Sequence, residues 1–294
     1  MRTSYKFALP TLLRSATCVA FLALSALCGA KADDATCEPA KLGAKYPGLA
    51  GKTIKIGQDG ESVPFSMRDP TDFSKLVGLD ADLARATFAC IGIPMQFVVG
   101  TWSGLIPAAM SGQIDIMWDT LLYTPERAKK LDFVVYMNAA TGMLVAKGNP
   151  KNIHSLGDLC GLTGTTALGT TQEAMLRESS SKCTGAGKPA VNIITSTDMP
   201  SGMRLVQNGR ADLVAVNKFV GESMVAANPT TIESVFDVIT GAKIAVGTAK
   251  GNPELVKALR DGLMAIRASG AEKAIYERYH VDYSLTTEPT TLTE

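Results

Sequence analysis

The chain has 294 residues, 46% of them hydrophobic, and its 29 basic and 28 acidic residues leave a net charge of +1. This balance excludes the strongly basic surface that recruits nucleic acid or an anionic membrane, so neither is expected as a partner. The length exceeds the usual size of one α/β domain, so we expect two lobes with separate cores.

Residues 1–32 have the pattern of a secretory signal peptide. Basic residues and no acidic one precede an apolar run at 16–27, which is too short to span a membrane, and small residues end at Ala32. A lipid anchor at Cys28 is the alternative, but a bulky Leu27 precedes it where lipidation requires a small residue. We expect cleavage after Ala32 and an exported protein.

Beyond this leader, predicted strands and helices alternate. Residues 52–57 alternate polar and apolar side chains and predict a strand, and the Asp80 carboxylate is positioned to cap the helix that follows. A strand at 95–99, a helix at 102–110 and a strand at 114–117 complete the first unit.

The same alternation begins again after Pro150. Each half contains a Gly-x-x-Asp turn between a helix and a strand, starting at Gly112 and at Gly209. The elements predicted in the second half are an extended stretch to Leu168, helices at 169–177 and 195–209, strands at 211–216 and 243–247, and two amphipathic helices within 253–279. Repeated strand–helix units predict an α/β fold with two lobes, each a mainly parallel sheet flanked by helices.

Four cysteines follow the leader, an even number in a chain with an export signal. Disulfides are expected, in the pairings Cys37 with Cys90 and Cys160 with Cys183, although free cysteines or a single disulfide remain alternatives. The cysteine spacing matches no zinc motif, so we expect no metal.

The candidate binding residues follow the carboxyl ends of predicted strands, where open α/β sheets bind ligands. They lie at 59–65, 118–127, 169–172 and Asn217. Arg127 is the best partner for a carboxylate, because its planar guanidinium forms two parallel hydrogen bonds. A surface arginine in a helical turn is the alternative.

Gly169, Thr170 and Thr171 stand at the start of a predicted helix, whose free N–H groups attract anions. A plain threonine cap without a ligand is the alternative. Trp102 and Trp118 lie near the same edge of the sheets. Trp102 is the better candidate for ligand contact, and a core role is the alternative for both.

Motifs of catalysis and nucleotide binding are absent from the sequence. The glycines at 161–169 lack the Gly-Lys-Ser/Thr ending of a phosphate-binding loop, and neither His154 nor His280 belongs to a recognisable catalytic triad. We therefore expect a binding protein without a cofactor, not an enzyme.

Several short motifs occur in a characteristic order. They are Ile56-Gly57-Gln58-Asp59, Gly78-Leu79-Asp80-Ala81-Asp82, Trp102-Ser103-Gly104-Leu105, Tyr123-Thr124-Pro125-Glu126-Arg127 and Gly169-Thr170-Thr171-Gln172-Glu173. In this order, over residues 52–284, the chain resembles the polar amino-acid-binding proteins of bacterial ABC importers.

The resemblance implies where each part of a ligand would bind. Arg127 would bind its carboxylate from the first lobe, and the turn at Thr170 and Thr171 would meet it from the second. Thr120 and the backbone of Leu122 would contact its amino and carboxylate groups, and Trp102 would cover the ligand.

The resemblance also implies a hinge with two chain crossings, near 138–142 and 237–241. The first lobe would comprise 33–139 and 240–294, and the second 140–239. The protein would act as a monomer in the periplasm, close around its ligand and deliver it to a membrane permease.

Three positions depart from the family pattern near the ligand's ammonium group. Asn217 replaces the usual aspartate, Ser62 beside Glu61 replaces an aromatic residue, and Asp119 replaces a small residue. One hypothesis is that Asp119 or Glu61 supplies the missing negative charge. The alternative is that Asp119 is turned away and the ligand has no standard α-ammonium group.

Two other functions remain as alternatives. Periplasmic cyclohexadienyl dehydratases have a similar fold and similar motifs, and Glu173 would then be a candidate acid. The other alternative is a sensor protein that acts on a separate membrane receptor.

Overall fold

The computed structural model describes residues 37–38 and 42–292. The predicted signal peptide, 1–32, lies outside the described residues. Of the helices that are described, none has both the length and the apolar composition that crossing a membrane requires.

The described residues contain fourteen strands in three sheets. The strands are β1 (Ile54–Gln58), β2 (Glu61–Ser62), β3 (Ser66–Arg68), β4 (Leu76–Val77), β5 (Met95–Val99), β6 (Ile116–Met117), β7 (Leu131–Asn138), β8 (Thr141–Ala146), β9 (Thr163–Ala167), β10 (Asn192–Ser196), β11 (Leu213–Asn217), β12 (Ile232–Val238), β13 (Lys243–Ala249) and β14 (Thr286–Leu292).

Eight α-helices lie in the same part of the chain. They are α1 (Leu79–Ile91), α2 (Trp102–Met110), α3 (Pro125–Ala128), α4 (Thr171–Gly185), α5 (Met199–Gln207), α6 (Lys218–Ala227), α7 (Pro253–Ala268) and α8 (Ala271–Arg278).

The first lobe is built on a six-stranded sheet in the order β14-β7-β13-β6-β1-β5. β1 pairs in parallel with β5 and β6, whereas β13, β7 and β14 are added through antiparallel pairings. Ile54 and Ile56 of β1 are buried and Lys55 between them is exposed, because alternate residues of a strand share a face. Helix α7 packs against α1 of this lobe.

The second lobe is built on a five-stranded sheet in the order β10-β9-β11-β8-β12. β9 pairs in parallel with β10 and β11, and β8 pairs antiparallel with β11 and β12. The predicted two-lobed α/β fold class is confirmed. Each large sheet has a parallel part of three strands and is mixed, because antiparallel strands extend it.

The chain passes between the two large sheets twice. β7 ends at Asn138 and β8 begins at Thr141, while β12 ends at Val238 and β13 begins at Lys243. The two crossings run side by side, since Asn138 pairs with Lys243 and Thr141 pairs with Val238. They coincide with the crossings predicted from the sequence.

The start of α1 differs from the prediction that Asp80 caps the helix. Gly78, with a φ of 127°, occupies the cap position, and Asp80 lies inside the first turn. Its buried carboxylate accepts hydrogen bonds from the Thr120 N–H and the Tyr136 hydroxyl instead. The prediction was wrong because these partners come from distant segments that fold against α1.

Both predicted cysteine pairings are present as disulfides. Cys37 is joined to Cys90 of α1, and Cys160 is joined to Cys183 of α4. The second bridge fastens α4 to the segment that precedes β9 in the second lobe.

Candidate functional site

A cavity lies between the lobes, beyond the carboxyl ends of β6, β9 and β11, and has a volume of about 20 Å³. Its lining residues are Trp102, Thr120, Leu122, Arg127, Thr170, Thr171, Gln172, Met199 and Asn217. All but Met199 lie at positions or in segments that the sequence predicts for ligand binding, and all but Gln172 and Met199 were singled out individually. The structure brings these residues together, and their roles stay predictions.

Arg127 is the main charged group of this cavity. Its Nη1 donates a hydrogen bond to the Leu122 carbonyl at 2.6 Å, and its Nη2 donates one to the Gly169 carbonyl of the other lobe at 3.0 Å. The guanidinium lies 5.5 Å from the centre of the Trp102 ring. Burial lowers the pKa of Arg127 to about 10, so the side chain remains a cation at neutral pH.

The N-terminus of α4 faces the cavity from the second lobe. The Thr170 hydroxyl caps this helix by accepting a hydrogen bond from the Glu173 N–H, and it donates to the Ala167 carbonyl at 2.8 Å. The hydroxyl is therefore occupied, and the donors that remain for an anion are the first backbone N–H groups of the helix. Gly169 precedes them with a φ of 77°.

Asn217 lies at the end of β11 and caps α6. Its Oδ1 accepts a hydrogen bond from the Phe219 N–H at 3.0 Å. Its Nδ2 is buried and has no partner among the described residues. The capping bond requires the amide oxygen to face α6, so the unpaired group is the amide NH₂, a hydrogen-bond donor.

Thr120 and Trp102 line the first-lobe side of the cavity. Thr120 has a φ of 47°, in the left-handed region that a β-branched residue rarely adopts. Its N–H donates a hydrogen bond to Asp80 Oδ2 at 2.8 Å. The Trp102 indole donates to the Asp119 carbonyl at 3.2 Å. Asp80 of α1 therefore holds Thr120 in place, and the loop that follows β6 holds Trp102. The Trp118 side chain is fully buried in the core.

Three residues predicted as ligand contacts, Asp119, Glu61 and Ser62, do not line this cavity. Asp119 is fully buried, and its Oδ2 accepts a hydrogen bond from the Asp59 N–H at 2.7 Å. The buried Ser62 hydroxyl donates to Asp59 as well. Glu61 is exposed and lies near Asp198 and Arg204 of the second lobe. These side chains are directed to the Asp59 turn and to the surface.

Asp59, Asp80 and Asp119 form a cluster of carboxyl groups beside the loop that contains Thr120, with Asp80 and Asp119 fully buried and Asp59 partly buried. Burial raises the pKa of all three, and the charge of Asp59 is a further cause for Asp80 and Asp119. The pKa of Asp80 rises to about 7, although its hydrogen bonds from Tyr136 and Thr120 oppose the shift. Asp80 therefore titrates near neutral pH in the folded protein.

Replacing Asp80 with asparagine is expected to weaken the pH dependence of the free energy of unfolding. The folded protein retains a proton on Asp80 up to about pH 7, whereas the unfolded chain releases it near pH ~4. The stability that Asp80 contributes is thus complete below about pH 4 and is lost as the pH rises to about 7. Urea unfolding midpoints at about pH 5 and about pH 7.5 measure this difference.

Asp72→Asn is the matched control for Asp80→Asn. Asp72 is exposed, and hydrogen bonds from Ser74 and Lys75 lower its pKa to about 2, below the range of the measurement. We expect the stability of this variant to fall between about pH 5 and about pH 7.5 by as much as that of the wild-type protein. An equal fall in wild type and Asp80→Asn would contradict the assignment to Asp80.

Comparison with known families identifies the chain. A model of the bacterial extracellular solute-binding proteins, family 3, matches residues 54–282. The chain belongs to this family. All the residues that line the cavity of this solute-binding protein fall within the matched range.

Several individual proteins are similar to this solute-binding protein. The L-cystine-binding protein TcyJ of Escherichia coli strain K12 is 26% identical over 228 residues, which cover 77% of this chain and 82% of TcyJ. An ancestral arginine-binding protein solved with arginine is 30% identical, with a TM-score of 0.71, over 77% of this chain and 97% of that one. The ancestral amino-acid-binding protein AncCDT-1, a precursor of cyclohexadienyl dehydratase, is also 30% identical, with a TM-score of 0.66, over 77% and 95%.

Two residues of the cavity were not singled out as ligand contacts: Gln172, which lies in the candidate segment 169–172, and Met199, which lies outside every candidate segment. Gln172 is buried beside Thr171, and its Nε2 donates a hydrogen bond to Thr141 at 3.1 Å. Met199 is the first residue of α5, just beyond the end of β10. Its position after a strand is the signal that could have identified it, but β10 itself was not predicted.

Proposed function

We propose that this solute-binding protein is the exported component of an ABC importer and binds an amino acid or amino-acid-like carboxylate between its lobes. The observation that carries the proposal is the position of the Arg127 guanidinium between the lobes, without an anionic partner among the described residues. The guanidinium contacts the turn before α4 in the other lobe, and burial alone accounts for its lowered pKa, with no carboxylate as partner among the described residues. A partly buried cation of this kind favours an anion beside it.

The surroundings of Arg127 favour a carboxylate as that anion. Two of the five guanidinium N–H donors are engaged by carbonyl oxygens, so donors remain for a planar, two-oxygen group. The N-terminus of α4 adds backbone N–H groups and the positive end of a helix dipole.

The ligand is held by closure of the two lobes, which we assign to 33–139 with 240–294 and to 140–239. The paired crossings provide the hinge, and a ligand that contacts both lobes favours the closed arrangement. Two contacts between the lobes support this mechanism. Arg127 contacts Gly169, and the Phe65 and Phe219 rings lie 6.1 Å apart.

Delivery to a membrane permease and a periplasmic location complete the proposal. The family is described as extracellular, and the leader at 1–32 has the features of a cleaved export signal. TcyJ is named as a cystine-binding protein and a second relative as an arginine-binding protein. We propose that the protein acts as a monomer, without nucleic acid and without a cofactor.

Glu173 supports a binding protein over a dehydratase. Its Oε2 accepts a hydrogen bond from the Gly169 N–H at 2.7 Å, and its Oε1 pairs with Arg177 at 2.6 Å. Burial raises its pKa, but these partners outweigh burial and the net shift is downward. A carboxylate kept charged in this way is a poor general acid, and it does not line the cavity.

A thermal-shift screen of amino acids, opines and betaines tests this function, with each acid measured beside its primary amide. A bound ligand is expected to stabilise the protein by about 2.7 kcal/mol at a hundred times its dissociation constant. We expect at least one acid to raise the melting temperature and its amide to have little effect. Equal shifts by acid and amide would contradict carboxylate recognition.

A further inference from the structure

The polar side chains that line the cavity are positively charged or neutral, and none is negatively charged among the described residues. Arg127 is a cation, Asn217 presents an unpaired Nδ2, and threonine hydroxyls and one glutamine amide complete the polar lining. No carboxylate belongs to the lining as the described residues form it. A zwitterionic ligand would therefore place its ammonium group in a cavity without a negative charge.

The orientation of Asn217 strengthens this conclusion. The cap bond from the Phe219 N–H engages Oδ1, so the amide cannot turn to present an acceptor without leaving α6 uncapped. An ammonium group against Nδ2 would bring two donors together. Leaving a buried donor unsatisfied is unfavourable, so the ligand atom at this position should be an acceptor.

The nearby carboxyl groups do not supply the missing charge. Asp119 is fully buried, does not line the cavity, and has a pKa raised well above its usual range by burial and by Asp59. Asp59 itself receives hydrogen bonds from Glu61 and Ser62 N–H groups. The carbonyls of Leu122 and Gly169 accept hydrogen bonds from Arg127, and the positive charge of Arg127 disfavours a second cation beside them.

We infer that the ligand is a carboxylate that bears a hydrogen-bond acceptor in place of an α-ammonium group, as in a 2-oxo or 2-hydroxy acid. Its carboxylate lies at Arg127 and the N-terminus of α4, and its oxo or hydroxyl oxygen accepts a hydrogen bond from Asn217 Nδ2. This inference rests on the proposed function. It selects the class of ligand within the same site.

Calorimetry with matched sets of probes tests the inference. The sets are alanine, pyruvate and lactate; glutamate, 2-oxoglutarate and 2-hydroxyglutarate; and phenylalanine, phenylpyruvate and phenyllactate. Ligand-free protein is prepared by unfolding and refolding with its disulfides intact. In the set that binds, we expect the oxo or hydroxy acid to bind about ten to a hundred times more tightly than the amino acid.

Asn217→Asp is expected to reverse this preference. Aspartate retains the oxygen that caps α6 but replaces the donor with a negative charge. The variant should therefore keep the start of the helix, bind the amino acid more tightly and bind the oxo acid more weakly. Asn217→Ser also keeps a cap oxygen, and it should lose oxo-acid affinity without gaining the amino acid. Asn208→Asp is the control, because it adds the same charge at an exposed position of the second lobe.

The outcomes separate the inference from the proposed function. Tighter binding of the amino acid by the wild-type protein overturns the inference and leaves the carboxylate-binding function standing. An unchanged preference in folded Asn217→Asp also overturns it. If the folded wild-type protein binds no member of any set and no acid of the thermal-shift screen, both are contradicted, because the proposed carboxylate site would then have no carboxylate ligand.

Discussion

Replacing Arg127 with methionine should reduce affinity for the ligand at least about a hundredfold, because the carboxylate loses its charge-assisted, two-bond partner. Stability of the ligand-free protein should change little. The substitution removes two hydrogen bonds to carbonyls, but it also removes a partly buried cation that has no anion beside it among the described residues. Calorimetry and thermal unfolding on the same preparations measure both effects.

Two variants control for the loss of charge at Arg127. Arg210→Met removes an arginine from an exposed turn of the second lobe and should leave affinity unchanged. Arg127→Lys keeps the charge but loses the planar donor geometry, and it should bind with intermediate affinity. If Arg127→Met binds like the wild-type protein, the carboxylate is not bound by Arg127.

Replacing Gly78 with alanine is expected to destabilise the fold by about 3 kcal/mol or more. Gly78 has a φ of 127°, and an added Cβ would lie 2.3 Å from the Phe65 carbonyl oxygen and 2.6 Å from its carbon. The neighbour is backbone and cannot rotate aside. The same turn precedes Asp80, which holds Thr120 at the cavity, so ligand affinity should fall together with the urea unfolding midpoint.

Gly148→Ala is the matched control for backbone strain alone. Gly148 also has a positive φ, of 83°, but no atom lies within 4 Å of an added Cβ. The substitution should lower the free energy of unfolding by about 1 kcal/mol. Equal destabilisation by the two variants would mean that the close approach to Phe65 is relieved at little cost.

The elements that the sequence predicts best are those with a clear local pattern. The strand Met95–Val99 and the helix Trp102–Met110 have the same bounds in the structure as in the prediction. In contrast, β7 was not predicted, because seven of its eight residues are buried and no polar alternation marks it. β14 was also missed, since its threonine-rich sequence becomes a strand only by pairing with β7.

The length of α4 illustrates a limit of local patterns. The sequence predicts a helix to Arg177, whereas the helix continues to Gly185. Its second half contains three consecutive serines, which do not favour a helix by themselves. The disulfide at Cys183 and the burial of Ser179 show that tertiary contacts stabilise this half.

The position of the candidate site was predictable, but the direction of its side chains was not. Arg127, Thr120 and Asn217 follow the ends of strands, and the rule for α/β sheets brings such residues together. Asp119 is adjacent to Thr120 in sequence, yet it points into the core and contacts Asp59, 60 residues away. That contact depends on the pairing of β1 with β6, which the sequence alone does not specify.

The binding of a carboxylate by Arg127 is tested most directly by a double-mutant cycle. The strongest acid from the thermal-shift screen and its primary amide are each titrated into wild type and Arg127→Met, at concentrations high enough to measure weak binding. If the carboxylate contacts Arg127, changing the acid to its amide should lower affinity about a hundredfold in the wild-type protein and less than about twofold in the variant. An equal loss in both proteins would contradict the account, because the carboxylate would then bind elsewhere.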